Sequence, residues 1–149
     1  MPLSAPPPPR VAVLDNDQVV LTLLRQVLTD AGYEARALRT GSGAHEVLRL
    51  LRLLAPAAIV LDLPDAADAP AWRLLALLAR DPALRHIPLV VCVPDDGHAS
   101  ALAAALGHPL STLLCKPFTL DGLLADLERL RGRRAGAHAT LPPRASAPP

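Results

Sequence analysis

Arg10-Val-Ala-Val-Leu-Asp-Asn-Asp17 sets four apolar residues, Val11 to Leu14, directly before three that carry a side-chain oxygen. The apolar run is too short for a helix and does not alternate with polar residues, so it reads as a strand buried on both faces. The next segment, residues 17–31, places Val20, Leu21, Leu24, Val27 and Leu28 on one face at 3.6 residues per turn. Gly32 stands where a left-handed cap would end that helix. A buried strand that runs into acids and then into an amphipathic helix is the unit on which the rest of the reading is built.

That unit recurs. Strands are expected at residues 33–38, 57–61, 89–93 and 110–115, and helices at 42–54, 70–80, 96–106 and 119–131. Pro56 stops the second helix because the residue before a proline avoids helical geometry. Pro70 is tolerated in the first turn of the third, and Thr119 is placed to cap the last. In that last helix Leu120, Leu123, Leu124, Leu127 and Leu130 form the buried stripe. Five strand–helix repeats with continuously apolar strands predict an α/β fold, a parallel five-stranded sheet covered by helices on both sides in three layers.

Composition bounds the rest. The chain has 149 residues, 51% of them hydrophobic, and its only aromatics are Tyr33, Trp72 and Phe118; one aliphatic core is expected. With 15 basic and 14 acidic residues the formal charge is +1, so no global field draws the chain onto nucleic acid or an anionic membrane. Apolar stretches are interrupted well short of the roughly 18 residues that a membrane span needs. Cys92 and Cys115 both lie in apolar runs, which predicts buried, reduced thiols and a cytoplasmic location. The proline-filled residues 1–9 and the Pro, Ala, Gly and Arg of 132–149 are expected to be disordered tails around a domain spanning 10–131. No output domain is expected within residues 132–149.

In an open parallel sheet, ligands bind outside the carboxyl ends of the strands, where the winding direction reverses. Strand one ends in Asp15-Asn16-Asp17, strand three in Asp62 and strand five in Lys116-Pro117. Separately each has an ordinary explanation: a helix cap, a loop acid, an exposed turn. Their arrival on one edge of one sheet is not explained by three separate accidents. Two acids and a lysine are the charges that phosphoryl chemistry uses.

Arg10-Val-Ala-Val-Leu-Asp-Asn-Asp17, Ala57-Ala-Ile-Val-Leu-Asp-Leu-Pro64, Ile87-Pro-Leu-Val-Val91 and Leu114-Cys-Lys-Pro-Phe118 together resemble the signature stretches of the receiver domains of two-component response regulators. The resemblance covers about residues 10–131. It implies a flavodoxin-like (βα)5 fold with sheet order 2-1-3-4-5, and a phosphoacceptor at Asp62 that takes a phosphoryl group from a histidine kinase or phosphotransfer protein. By the same resemblance Lys116 contacts the phosphoryl group, and Mg2+ is held by Asp15, Asn16, Asp62 and the backbone carbonyl of Pro64. The protein would then be a signalling component and not an enzyme. It would report to a downstream protein through the surface formed by residues 96–106, 110–115 and 119–131, and a homodimer through the same helices is compatible with the pattern.

Three positions depart from the family. Asn16 stands where the family has a second acid, which predicts weaker Mg2+ binding unless Asp17 compensates. Val93 falls where a hydroxyl is expected at the end of strand four, and Leu113 where an aromatic switch residue is expected. After Asp62, proline comes early at Pro64, and Ala-Asp-Ala takes the place of a common glycine. These departures motivate an alternative, a pseudo-receiver that keeps the fold as a phosphorylation-independent interaction module. A flavodoxin-like enzyme is disfavoured, because no Gly-rich phosphate loop follows strand one. His45, His86, His98 and His108 lack metal-ligand spacing and are expected at the surface. Trp72 is expected to be half-buried, and the Arg131-Gly-Arg-Arg134 cluster to complement the end of the last helix.

Overall fold

The computed structural model describes residues 4–64, 69–94, 107–108 and 110–139. In chain order the elements are β1 (Arg10–Asp15), α1 (Gln18–Asp30), β2 (Glu34–Arg39), a single 3-10 turn (Thr40–Ser42), α2 (Ala44–Leu54), β3 (Ala58–Asp62), α3 (Ala69–Arg80), β4 (Leu89–Val93), β5 (Ser111–Cys115) and α4 (Leu120–Ala139). The helix expected over 96–106, and His98 within it, lies outside the described residues.

All strand pairs are parallel, in the order β2-β1-β3-β4-β5. This is the flavodoxin-like arrangement expected from the sequence. From β1 the chain crosses outward to β2, then returns past β1 to β3 and continues the other way. The winding therefore reverses between β1 and β3, and a crevice opens at their carboxyl ends.

Strand alternation divides the core in two. Ala12, Leu14, Ile59, Leu61, Leu89 and Val91 point to one side, where Val47, Leu48 and Leu51 of α2 and Leu74, Leu75 and Leu78 of α3 cover them. Val11, Val13, Ala58, Val60, Val90 and Cys92 point to the other, under Leu21, Leu24 and Leu28 of α1 and Leu123, Leu127 and Leu130 of α4. Each fully buried aliphatic side chain contributes about 1.5–3 kcal/mol of hydrophobic stabilisation, and two continuous layers of them fix which way every strand faces.

The helix ends follow local chemistry. Asp17 caps α1, its carboxylate accepting from the backbone N–H of Val19 at 2.9 Å and Val20 at 3.5 Å. At the other end Gly32 takes φ +95° and Tyr33 N donates to Leu28 O at 3.0 Å, the left-handed ending expected there. The stop at the end of α2 is less comfortable: Ala55 adopts φ 46° and ψ 60°, a left-handed conformation that its Cβ disfavours.

Four expectations are corrected. The stretch from Gly132, expected to be disordered, continues α4 to Ala139. It has no apolar face for periodicity to reveal, yet its Ala and Arg are strong helix formers. Arg131 is accordingly inside the helix rather than at its end, and lies over the Tyr33 ring at 5.4 Å from the centroid. Cys115 is exposed, because it terminates an edge strand, whereas Cys92 on central β4 is buried. His108 is buried and not at the surface: its Nδ1 accepts from Leu110 N at 3.2 Å, and burial, followed by neighbouring His86, lowers its pKa. Trp72 is 37% exposed, as half-buried packing predicts. No helix among the described residues is long and apolar enough to cross a membrane.

Candidate functional site

Asp15 and Asp62 reach the same place through the alternation of their strands. Val11 and Val13 face α1 and α4, and Asp15 continues that row; Ala58 and Val60 do the same on β3, and Asp62 follows. Leu14 pairs with Leu61 across the two strands, so the acids stand at neighbouring strand ends on one side of the sheet. Lys116 directly follows the end of β5, and the Lys116–Pro117 peptide is cis.

The three meet. Lys116 Nζ lies 2.8 Å from Asp62 Oδ1 and donates to the carbonyl of Leu63 at 3.0 Å. Asp15, 6% exposed, accepts at Oδ1 from the backbone N–H of Asn16 at 2.6 Å and Asp17 at 2.9 Å. Its Oδ2 is buried without a hydrogen-bond partner. Asp15, Asn16, Asp62, Pro64 and Lys116, the residues singled out from sequence, all line one open cleft of about 720 Å3.

Gln18, Val20 and Thr40 also line the cleft and were not anticipated. Thr40 is only 3% exposed and follows β2 directly. The rule that leads to the ends of β1, β3 and β5 points equally to the end of β2, whose residues carry no acid or lysine to draw attention.

The donor set suits a hard divalent cation. A buried carboxylate oxygen without a partner is costly, and a cation shared with a second carboxylate would satisfy it. Among the described residues no group of three or more His, Cys, Asp and Glu is placed to hold a metal. The set would therefore be the two carboxylates of Asp15 and Asp62, completed by neutral oxygens from Asn16 and the Pro64 carbonyl. Asp17 also lines the cleft, with its Oδ1 occupied in capping α1.

The expected switch positions are apolar in their surroundings as well as in kind. Val93 is 3% exposed and belongs to the core layer on the α2 and α3 side, and Leu113 packs against that same layer. Cys92, not Val93, is the β4 residue registered with Asp62. Burial, reinforced by the negative charge of Asp62, pushes its thiol up to about 12, which leaves it inert as a nucleophile at neutral pH.

A doubly wound parallel sheet with two acids and a lysine at its carboxyl edge defines the class: the protein has the fold of a response-regulator receiver domain. Solved structures it resembles include the signal receiver domain of a signal transduction histidine kinase from Syntrophus aciditrophicus, at 20% identity and TM-score 0.68, covering 93% of this chain and 98% of that one. Another is a response regulator receiver protein from Sinorhizobium medicae, at 23% identity and TM-score 0.67, covering 85% and 97%. No protein-family model and no curated protein matches the chain.

Proposed function

We propose that the protein is a receiver of two-component signalling in which Asp62 accepts a phosphoryl group from a phosphohistidine on a histidine kinase or phosphotransfer protein. What carries this reading is the meeting of Asp62 with Lys116 at 2.8 Å, next to a buried Asp15 whose Oδ2 has no partner. Three segments distant in sequence supply those groups, and packing alone has no use for an unpaired buried carboxylate oxygen.

Asp62 needs no general base, since a carboxylate is ionised at neutral pH. One of its oxygens forms the new bond to phosphorus as the P–N bond breaks. The electron pair of that bond returns to the imidazole, and an acyl phosphate results. Lys116 stays beside the reacting carboxylate, where its ammonium group counters the charge of the phosphoryl oxygens. Asp15, Asn16, Asp62 and the Pro64 carbonyl would hold Mg2+, which when bound neutralises charge on the transferring group. The chain is thus a substrate of the transfer rather than an enzyme.

Val93 and Leu113 favour a second reading for the output. With no hydroxyl at 93 and no aromatic ring at 113, the usual relay from the phosphoryl group to the surface is missing, and the fold then serves as a phosphorylation-independent interaction module. Incubation with acetyl phosphate and Mg2+ separates the two. Base-labile, acid-stabilised label on the wild-type protein, lost in Asp62→Asn, supports the receiver reading. No label on the wild type, with acetyl phosphate or with a panel of phosphorylated kinases, refutes it.

A further inference from the structure

The turn between β2 and α2 comes so close to the side chain of Asn16 that a Cβ in the turn would displace its amide. Gly41 sits in that turn, and its backbone does not explain why it is glycine: the described glycines with positive φ are Gly32, Gly43 and Gly107. Space does explain it. A Cβ added at position 41 would lie 2.8 Å from Asn16 Oδ1, well inside the roughly 3.5 Å at which nonbonded heavy atoms rest, so the amide at the end of that exposed side chain would have to move aside. The preceding residues belong to the same contact. Arg39 Nη2 donates to the backbone carbonyl of Asn16 at 3.2 Å, and buried Thr40 lines the cleft alongside Asn16.

We propose that Gly41 is a positioning residue of the cleft: its missing side chain seats the Asn16 amide against the β2–α2 turn while Arg39 tethers the same loop through its backbone. Asn16 is the neutral member of the cation-binding set, so where its amide stands matters more than it would for a charged ligand, which attracts the ion over a longer range. The missing Cβ leaves room for the side chain and the Arg39 hydrogen bond ties the main chain, so one turn sets the place of residue 16 without adding negative charge. This inference rests on the receiver reading only for its effect on cation binding; the seating of Asn16 stands on the geometry alone.

Two measurements on the full chain test it. In 15N-labelled, cation-free protein, Gly41→Ala shifts the side-chain NH2 resonances of Asn16, identified by their disappearance in Asn16→Ala. By calorimetry, Gly41→Ala weakens Mg2+ binding about fivefold, and adds less than twofold when introduced into Asn16→Ala, where there is no amide to displace. Unmoved Asn16 signals overturn the proposal, as does equal weakening with and without Asn16. Should the wild type take up no Mg2+ while Gly41→Ala still moves the Asn16 signals, the seating is upheld and the receiver reading falls. Should Gly41→Ala not fold, Arg39→Gln, which cuts the main-chain tie, must move the same signals, and their constancy overturns the proposal.

Discussion

Asp15→Asn is expected to stabilise the cation-free protein and to abolish its response to Mg2+. In the wild type Oδ1 is satisfied by two backbone N–H groups at 2.6 and 2.9 Å, but Oδ2 is buried without a partner, beside a second acid at Asp62. Neutralising residue 15 weakens the two hydrogen bonds at Oδ1 by about 1 kcal/mol in total, since charge-assisted bonds are roughly twice as strong as neutral ones. Against this, it removes the desolvation of an unpaired charged oxygen, on the order of 2–3 kcal/mol, and the repulsion from Asp62. The net gain is about 1–2 kcal/mol, or roughly 3–7 °C in Tm for a chain of this size. Mg2+ at ten times its Kd adds about 1.4 kcal/mol to the wild type by mass action and nothing to the variant. Thermal unfolding by circular dichroism, in EDTA and across a Mg2+ titration, reads both effects. An Asp15→Asn protein that melts at or below the wild type in EDTA, or that keeps the wild-type Mg2+ shift, refutes the reasoning.

Other perturbations probe the scaffold. Asp81 is buried between α3 and β4; burial alone would raise its pKa, but Arg52 together with the N–H groups of Ala83 and Leu84 outweighs that and holds it below the usual carboxylate value. Asp81→Ala is expected to cost about 1–3 kcal/mol at pH 7 in urea unfolding, from loss of the Arg52 pair and of the side-chain acceptor for the Ala83 N–H, while the Leu84 N–H keeps the Asp81 backbone carbonyl. Because the folded carboxyl titrates lower than the unfolded one, the penalty is complete above about pH 4 and shrinks as pH falls towards the folded value; a gap that does not narrow on acidification below about pH 4 contradicts the linkage. Ala55→Gly relieves the left-handed strain at the end of α2 and raises stability by roughly 0.5–1 kcal/mol, after allowing for the added freedom of the unfolded chain, measured as a higher urea midpoint. A thiol reagent such as DTNB titrates Cys115 alone in the native protein and Cys92 only after denaturation; rapid native modification of both contradicts the assigned burial.

Much of the candidate site was legible because its residues follow directly on strands that announce themselves. Val11 to Leu14 and Ala58 to Leu61 are apolar without interruption, so the first polar residue after each marks a strand end, and strand ends are where such sheets bind ligands. The contributions of Arg39, Thr40 and Gly41 were not legible. A glycine required for proximity looks the same in sequence as one required for a turn, and only the 2.8 Å approach to Asn16 distinguishes them. Cys115 and His108 were misplaced for a related reason: local apolarity suggests burial, but whether a strand lies at the sheet edge, or a histidine finds backbone partners beneath the surface, depends on chain that is distant in sequence.

By itself the sequence determined the local states, the alternation of strand and helix and the short list of acids and lysine, because backbone propensity and hydrophobic period act over a few residues. The tertiary structure decided that β1 and β3 are neighbours, that Asp15 and Asp62 therefore share one side of the sheet, and that Lys116 closes on them from the far end of the chain. It also decided that Val93 joins the opposite layer and that one oxygen of Asp15 is buried without a partner. Those are consequences of packing two aliphatic layers across a single sheet, which sets the facing of every strand at once and cannot be read from any one of them.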